Sequence, residues 1–249
     1  MSGVPKLPRV AEIRRSVRQA VIRHRQRLAR RLDPFVLEQL YQTNYLEVAG
    51  RTPWLHDPPL SSPGGGTASF SQLYVLLILL RDGGFHRVLE LGVGKSTELL
   101  QQWAGSHDAE TSHVDDNAGW LEATVKDRPG STRIHAPLAK RAVLGHDIEW
   151  YGTERPPGKF DLVLVDGPQA WHGEARYNRL GVLNWLPDIL AEDFVLVVDD
   201  ASRRGEQALV RAAEQRLRAS RSGVMSREVI GSNSQVLLAT PRYRWAAYL

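Results

Sequence analysis

Val88-Leu89-Glu90-Leu91-Gly92-Val93-Gly94-Lys95-Ser96-Thr97 is the stretch on which the reading of this chain turns. The apolar residues around Glu90 predict a buried strand over Arg87–Leu91. The Gly92-Val93-Gly94 turn then leads into a helix over Thr97–Trp103. Glycine lets a backbone bend sharply and lets a ligand come close to it. Gly94-Lys95-Ser96 looks like the end of a Walker A loop, but that loop needs a glycine where Leu89 stands inside the strand. A dinucleotide turn needs a third glycine at position 97, where the helix packs and a pyrophosphate lands, and Thr97 is there instead. A ligand without phosphate does not need that third glycine. A tight turn with no ligand is the plain alternative, so the neighbouring segments have to decide.

Working outward, apolar strands are expected at Thr111–Val114, Thr132–His135, Leu162–Val165 and Phe194–Val198. Helical stretches fall at Ser71–Arg81, Trp120–Lys126, Tyr177–Leu190 and Glu206–Arg218. Such alternation predicts a doubly wound α/β domain with helices on both faces of a parallel sheet. Two last strands, Arg227–Ile230 and Gln235–Ala239, flank Gly231-Ser232-Asn233-Ser234 as a hairpin, so the final strand of a seven-stranded, mostly parallel sheet should run backwards. In open α/β sheets ligands sit beyond the carboxyl ends of the strands. Asp115 follows the second strand about twenty residues past the glycines, the position of a carboxylate that holds ribose hydroxyls. It is preferred there over Asp116, and the competing role for either is a solvated turn or a helix cap.

Glu90-x-Gly92-x-Gly94 resembles motif I of class I S-adenosylmethionine-dependent methyltransferases, and the similarity in motif order runs from about Ser69 to Ala239. A narrower resemblance is to sugar and small-molecule O-methyltransferases, including plant glucuronoxylan methyltransferases. Those have a similar Gly-x-Gly-x-Ser-Thr turn, a Val-Asp-Gly-Pro strand end like Val165–Pro168, and a late pattern like Asp200, Arg203 and Glu206. The resemblance implies a Rossmann-like methyltransferase fold and an adenosylmethionine site at Glu90, Gly92, Gly94, Ser96, Asp115, Asp116 and Asp166. Ala136, Pro137 and Leu138 would lie against the adenine. It also implies that the strands ending at Val165 and Val198 are neighbours, which brings Asp166, Asp199 and Asp200 together.

These three carboxylates resemble the metal site of metal-dependent O-methyltransferases, with Asp200 where many carry Asn. Asp166 would either act directly as a base on an acceptor hydroxyl or join Asp199 and Asp200 in holding Mg²⁺ or another divalent cation. Consecutive strand residues point to opposite faces, so Asp199 and Asp200 need not share a task. His172, in Trp171-His172-Gly173-Glu174, is the alternative catalytic base. Arg176, Arg203 and Glu206 are either contacts for an anionic or sugar acceptor or ordinary surface charges. Trp150 and Trp185 are expected in the core, and Trp171 there or against a sugar ring. The expected acceptor is a sugar, glycan or small-molecule hydroxyl.

The 249 residues, 42% hydrophobic and 24% charged, suit one large soluble domain with an appendage. The absence of cysteine excludes disulfides, thiolate metal sites and a cysteine nucleophile, and it fits a reducing compartment. Leu73–Leu80, the longest apolar run, is far short of the roughly 20 residues that span a bilayer, and the first residues lack a secretory apolar core. A cytoplasmic protein with no transmembrane segment is expected. Residues 1–32 carry ten Lys/Arg and one acid, Glu12, for a net +9, which leaves −5 for the rest. They read as a basic helix from Val10 to Leu32, stopped by Asp33-Pro34, with a second helix to about Tyr45. Thr52–Thr67, rich in Pro, Gly and Ser, reads as a hinge. The expected division is therefore a leader and hinge over 1–68 and a methyltransferase domain over 69–249. The leader would contact an anionic surface, pack on the body, or join a second subunit in a homodimer. No Trp or Phe precedes Phe35, which argues against deep membrane insertion. Two other classes fit the fold. One is a nucleic-acid methyltransferase with the leader as an electrostatic arm, opposed by the acidic body and the lack of an Asn-Pro-Pro-Tyr-like motif. The other is a non-catalytic binding protein.

Overall fold

Seven strands and two layers of helices place the glycine turn at the middle of a sheet edge. A computed structural model describes residues 10–61, 68–171 and 173–249, with side chains from Val17 onward. His172, part of the expected hinge (62–67) and the start of the leader (1–9) lie outside the described residues. The chain runs through α1 (Val10–Leu32), α2 (Pro34–Ala49), α3 (Phe70–Asp82), β1 (Arg87–Leu91), α4 (Lys95–Ala104), β2 (Glu110–Asp115), α5 (Ala118–Thr124) and β3 (Ser131–His135). A hairpin of β4 (Leu138–Val143) and β5 (His146–Tyr151) follows, then β6 (Phe160–Val165), a 3-10 segment (Gly173–Asn184) and β7 (Leu190–Val198). The chain continues through α6 (Arg204–Ser220), β8 (Met225–Ile230) and β9 (Ser234–Ala239) to a final 3-10 segment (Pro241–Tyr248).

The main sheet has the order β3-β2-β1-β6-β7-β9-β8. β1, β2, β3, β6 and β7 pair in parallel, while β9 runs antiparallel to both β7 and β8. This is the seven-stranded, doubly wound order with a reversed last strand that the class I methyltransferase resemblance implies. The central strands are buried on both faces, as parallel strands under helices must be. Leu89, Leu91, Val163, Val165, Leu196 and Val198 face a core shared with α6 and the first 3-10 segment. Val88, Leu162, Leu164, Val195 and Val197 face the core under α3 and α4. Trp150 and Trp185 lie in the first of these cores, with ring centroids 5.1 Å apart.

Three local expectations change. The β4–β5 hairpin forms a separate two-stranded sheet in a stretch for which no element was expected. Its turn, Leu144-Gly145, has positive φ at both residues (51° and 78°), the twist a two-residue hairpin requires. The helix expected over Tyr177–Leu190 is instead the 3-10 segment, and Leu190 already belongs to β7. Gly181 presses on the Trp150 ring, where a Cβ would collide, and Pro187 has no N–H to continue a helix. Finally, α2 runs beyond Tyr45 to Ala49, because Tyr41, Tyr45 and Ala49 bury one continuous stripe in the core shared with α3. Asp33 caps α2 as expected, accepting from Phe35 N at 2.9 Å.

Candidate active site

The chain reverses its direction of winding between β1 and β6, and ligands of doubly wound sheets bind at such a switch point. A cavity of about 550 Å³ opens there. That volume is within the usual range of small-molecule sites. It is lined from the ends of four parallel strands: by Gly92–Lys95 after β1, Asp115–Asn117 at the end of β2, Asp166–Trp171 after β6, and Asp199 and Asp200 after β7.

The glycine turn is built from behind. Glu90, wholly buried, accepts from Ser96 Oγ at 2.5 Å and Thr97 Oγ1 at 2.7 Å, and it pairs with His113 Nδ1 at 2.7 Å. A carboxylate under the first turn of α4 also satisfies the positive end of that helix. Thr97 thus earns its position where a dinucleotide turn has glycine: its hydroxyl accepts from Gly94 N at 2.9 Å and ties the turn to Glu90. Gly92 has φ +90°, and a Cβ there would lie 2.6 Å from Gly167 N. The β1 and β6 turns therefore touch backbone to backbone. At Gly94 a Cβ would meet nothing within 4 Å. Protein packing gives no reason for glycine at 94, and the empty space there is cavity.

Asp115 stands beside the turn. Its Oδ2 accepts from Val93 N at 3.0 Å and its Oδ1 from Asn117 N at 2.9 Å. Each oxygen keeps a second lone pair for a ligand. Burial pushes its carboxyl above the usual range, partly offset by the two backbone donors. Trp120 Nε1 donates to Val93 O at 2.9 Å, which fixes a half-exposed indole at the cavity rim.

At the other end, ligand atoms of Asp166, Asp199 and Asp200 all lie within 4.8 Å of one another. Both β7-end aspartates turn the same way because they lie past the strand, where alternation no longer holds. Asp200 is left-handed, with φ 55°, a conformation aspartate tolerates better than most residues. Asp166 accepts from Gln72 Nε2 at 2.8 Å, and Asp199 from Gln235 Nε2 at 2.7 Å. The buried Arg179 guanidinium lies 3.2 Å from Asp166 Oδ1, 3.2 Å from Asp200 Oδ2 and 3.5 Å from Glu206 Oε1. Arg203 adds a contact to Asp200 Oδ2 at 2.6 Å. Burial raises Asp166 to about 6, against the pull of Arg179 and with the push of Asp200. Burial raises Asp199 well above the carboxylate range, helped by Asp166 and Asp200. Glu206 is raised to about 7, again first by burial.

Of the residues expected at the site, Gly92, Gly94, Asp115, Asp116, Asp166, Asp199 and Asp200 line one cavity. Glu90 and Ser96 do not, because their polar atoms are spent on each other beneath the turn. Ala136, Pro137 and Leu138 do not line it either. Ala136 is buried with its N on Asp115 O, Pro137 O accepts from Gly152 N, and Leu138 opens the hairpin opposite Tyr151. Arg203 and the half-exposed Trp171 reach the cavity, whereas Arg176 is not among its walls. Arg179, Gln72, Gln235 and Trp120 were not anticipated. For the two glutamines a signal existed: each directly precedes an apolar run that is buried, and a buried amide needs a partner.

No family model and no curated protein matches the chain. Among solved structures it is similar to the O-methyltransferase TomG of Streptomyces achromogenes, involved in tomaymycin synthesis and crystallised with S-adenosylmethionine. Identity is 16%, over 79% of this chain and 89% of that one, with a TM-score of 0.43. An O-methyltransferase from Bacillus cereus in complex with SAH is 12% identical, over 80% and 90% of the two chains, at a TM-score of 0.43. A precorrin-6y C5,15-methyltransferase from Geobacter metallireducens is 12% identical, over 74% and 95%, at a TM-score of 0.46.

The two glycines should separate by experiment. Gly92→Ala adds a Cβ 2.6 Å from Gly167 N in a left-handed residue, and it should destabilise the fold by about 1–3 kcal/mol or more. Gly94→Ala meets no clash and should cost less, about 0.5–1 kcal/mol, the scale of a poorer N-cap on α4. Urea unfolding of both variants measures the contrast.

Proposed function

We propose that this chain is an S-adenosylmethionine-dependent methyltransferase that methylates a hydroxyl of a sugar, glycan or small molecule. The observation that carries the reading is one cavity with two distinct ends. An uncharged glycine turn with a ribose-ready carboxylate lies at one end, and a cluster of carboxylates in which burial raises Asp166 and Asp199 lies at the other. Adenosylmethionine carries no phosphate, which suits a turn with Thr97 in place of a third glycine. Gly94 leaves room for it, Asp115 would hold the ribose hydroxyls, and Trp120 offers a fixed aromatic wall for the base. When bound, it supplies an electrophilic methyl on a sulfonium. The protein's part is then to align an acceptor oxygen and remove its proton.

Asp166 suits that second task. It lines the cavity, Gln72 and Arg179 fix its orientation, and a carboxyl raised to about 6 is ionised yet still basic near neutrality. Its raised pKa also fits a divalent cation shared with Asp199 and Asp200. Asp200 Oδ1 is buried without a hydrogen-bond partner, and Arg179 and Arg203 face four acidic groups. A bound cation would lower the pKa of an acceptor hydroxyl. His172, outside the described residues, stays the alternative base. A cysteine-free chain in which no described helix is long and apolar enough to cross a membrane fits the proposed cytoplasmic setting.

Calorimetric titration tests the cofactor. The wild type should bind adenosylmethionine, and Gly94→Val should lose it while still unfolding cooperatively, with only the small loss of stability of a poorer N-cap. Asp115→Ala should weaken binding by about 1–3 kcal/mol, the scale of a lost charged hydrogen bond. Protein that binds NAD and not adenosylmethionine overturns the reading. Binding without turnover on any hydroxyl acceptor would leave a binding protein.

Asp166→Asn should keep cofactor affinity within a few-fold yet lower turnover by roughly 10²–10⁴, the range for a lost general base. If the cation is used, EDTA should mimic the variant and Mg²⁺ or Mn²⁺ should restore the wild type. If His172 is the base, EDTA should have no effect and His172→Ala should carry the loss.

The same carboxyl makes a stability prediction with a definite sign. In the folded protein Asp166 keeps its proton up to about pH 6, whereas the unfolded chain releases it near the ordinary 3.8. The folded state therefore binds more protons in that window, and metal-free stability falls as pH rises through it. Thermal melts in chelator should show wild type losing stability relative to Asp166→Asn between about pH 4 and 6, with no further divergence from this group above. Mg²⁺ should raise the melting temperature of the wild type above that window and not below it.

A further inference from the structure

The leader helix lies on the body with the wrong side inward. Its contacts with the sheet edge are polar: Arg227 donates to Gln19 Oε1 at 2.9 Å, Arg27 pairs with Glu228 at 2.5 Å, and Arg30 donates to Ser234 Oγ at 2.5 Å. Four of its described aliphatic residues form a stripe that faces water, while Ile22 lines a cavity with Tyr41, Val229 and Ile230 of the body. Val17 is 57% exposed, Val21 48%, Leu28 50% and Leu32 78%. At about 100° per residue these four fall within an arc of roughly 60°, while Gln19 and Arg30 project from the opposite side. Phe35, at the start of α2, is a further large apolar side chain exposed to water, at 74%. A helix that existed only to cover the body would turn this stripe inward.

From this geometry we propose that the α1–α2 arm docks the protein on an anionic lipid surface, with the stripe inserted shallowly and its arginines on the headgroup phosphates. The charge pattern selects this occupant. Arg18, Arg25 and Arg31 are exposed and, on the helical wheel, flank the stripe on both sides. Their stems can lie along the apolar phase while the guanidinium groups stay with phosphate. A second copy placed stripe to stripe would bring together two segments that each carry +9 over residues 1–32, an unfavourable field at close range. Duplex nucleic acid would use the arginines and leave the aliphatic stripe in water. Lipid satisfies both. The docking is peripheral, since no described helix is long and apolar enough to cross a bilayer. Phe35 supplies the aromatic that the leader itself lacks.

Flotation of the full-length protein with phosphatidylcholine vesicles, with and without phosphatidylglycerol, tests the proposal. Binding is expected only to the anionic vesicles and should weaken as salt is raised. Val21→Ser with Leu28→Ser removes apolar surface at constant charge and should lower the vesicle partition coefficient roughly tenfold or more. Arg18→Gln with Arg25→Gln should lower it through charge alone. Both pairs are exposed, so an unchanged melting temperature accompanies the loss. Wild type that ignores anionic vesicles overturns the proposal, as does undiminished vesicle binding by the serine variant. So does a dimer in light scattering that the serine variant converts to monomer, or duplex DNA binding that outcompetes vesicles and is unaffected by the serine substitutions.

Discussion

The guanidinium of Arg179 is the buried cation among four acidic side chains, Asp166, Asp199, Asp200 and Glu206, that converge behind the ends of two neighbouring strands. Its fork reaches both loops at once. One side contacts the Asp166 carbonyl and carboxylate, the other contacts Asp200 and the Asp199 carbonyl, and Nε donates to Pro168 O at 3.2 Å. A 3-10 segment carries this one side chain into the space between β6, β7 and α6, and so couples the two halves of the acidic site to the core. Loss of one partner from such a buried set leaves charge uncompensated, typically at a cost of about 3–5 kcal/mol.

Two guanidiniums, the buried Arg179 and the part-exposed Arg203, do not neutralise four carboxyls, and the remainder sets the chemistry. Burial leaves Asp199 and Glu206 reluctant to ionise and Asp166 poised near 6. The glutamine amides on Asp166 and Asp199 orient these groups without adding charge. The site therefore retains an appetite for positive charge, satisfied by protons at low pH and, under the proposed function, by a cation near neutrality. The opposite end of the cavity has the reverse character. Glu90 is enclosed by His113, Ser96 and Thr97, so its charge is hidden from the ligand side and the turn presents backbone and open space.

The sheet also explains why the leader behaves differently from the rest. β8 is an edge strand, and α1 covers its neighbourhood through ion pairs and amide contacts while α2 buries an apolar stripe against α3. Two consecutive helices thus use opposite strategies: α2 is held by the core and α1 by surface polar contacts. The stripe of Val17, Val21, Leu28 and Leu32 on α1 faces away from the body.

Much of this was legible in one dimension. The seven main strands, the reversed last strand and the helix from Val10 to Leu32 follow from local signals, whereas the grouping of Asp166 with Asp199 and Asp200 was implied by the resemblance to class I methyltransferases. Apolar periodicity, turn residues and caps act over a few positions, and the strand order of a doubly wound sheet brings strand ends together. What the sequence could not decide depended on partners far along the chain. Arg179 reads as one more arginine until the fold sets it among four acids. Glu90 and Ser96 read as ligand contacts until burial turns them toward each other. Strand alternation left open whether Asp199 and Asp200 share a task, and a left-handed residue past the strand end brings both into one site. The inward face of α1 was equally hidden, because its amphipathic pattern names an apolar side without naming what that side meets. Periodicity is a property of neighbours in sequence, whereas charge compensation and exposure are settled only when distant segments share the same space.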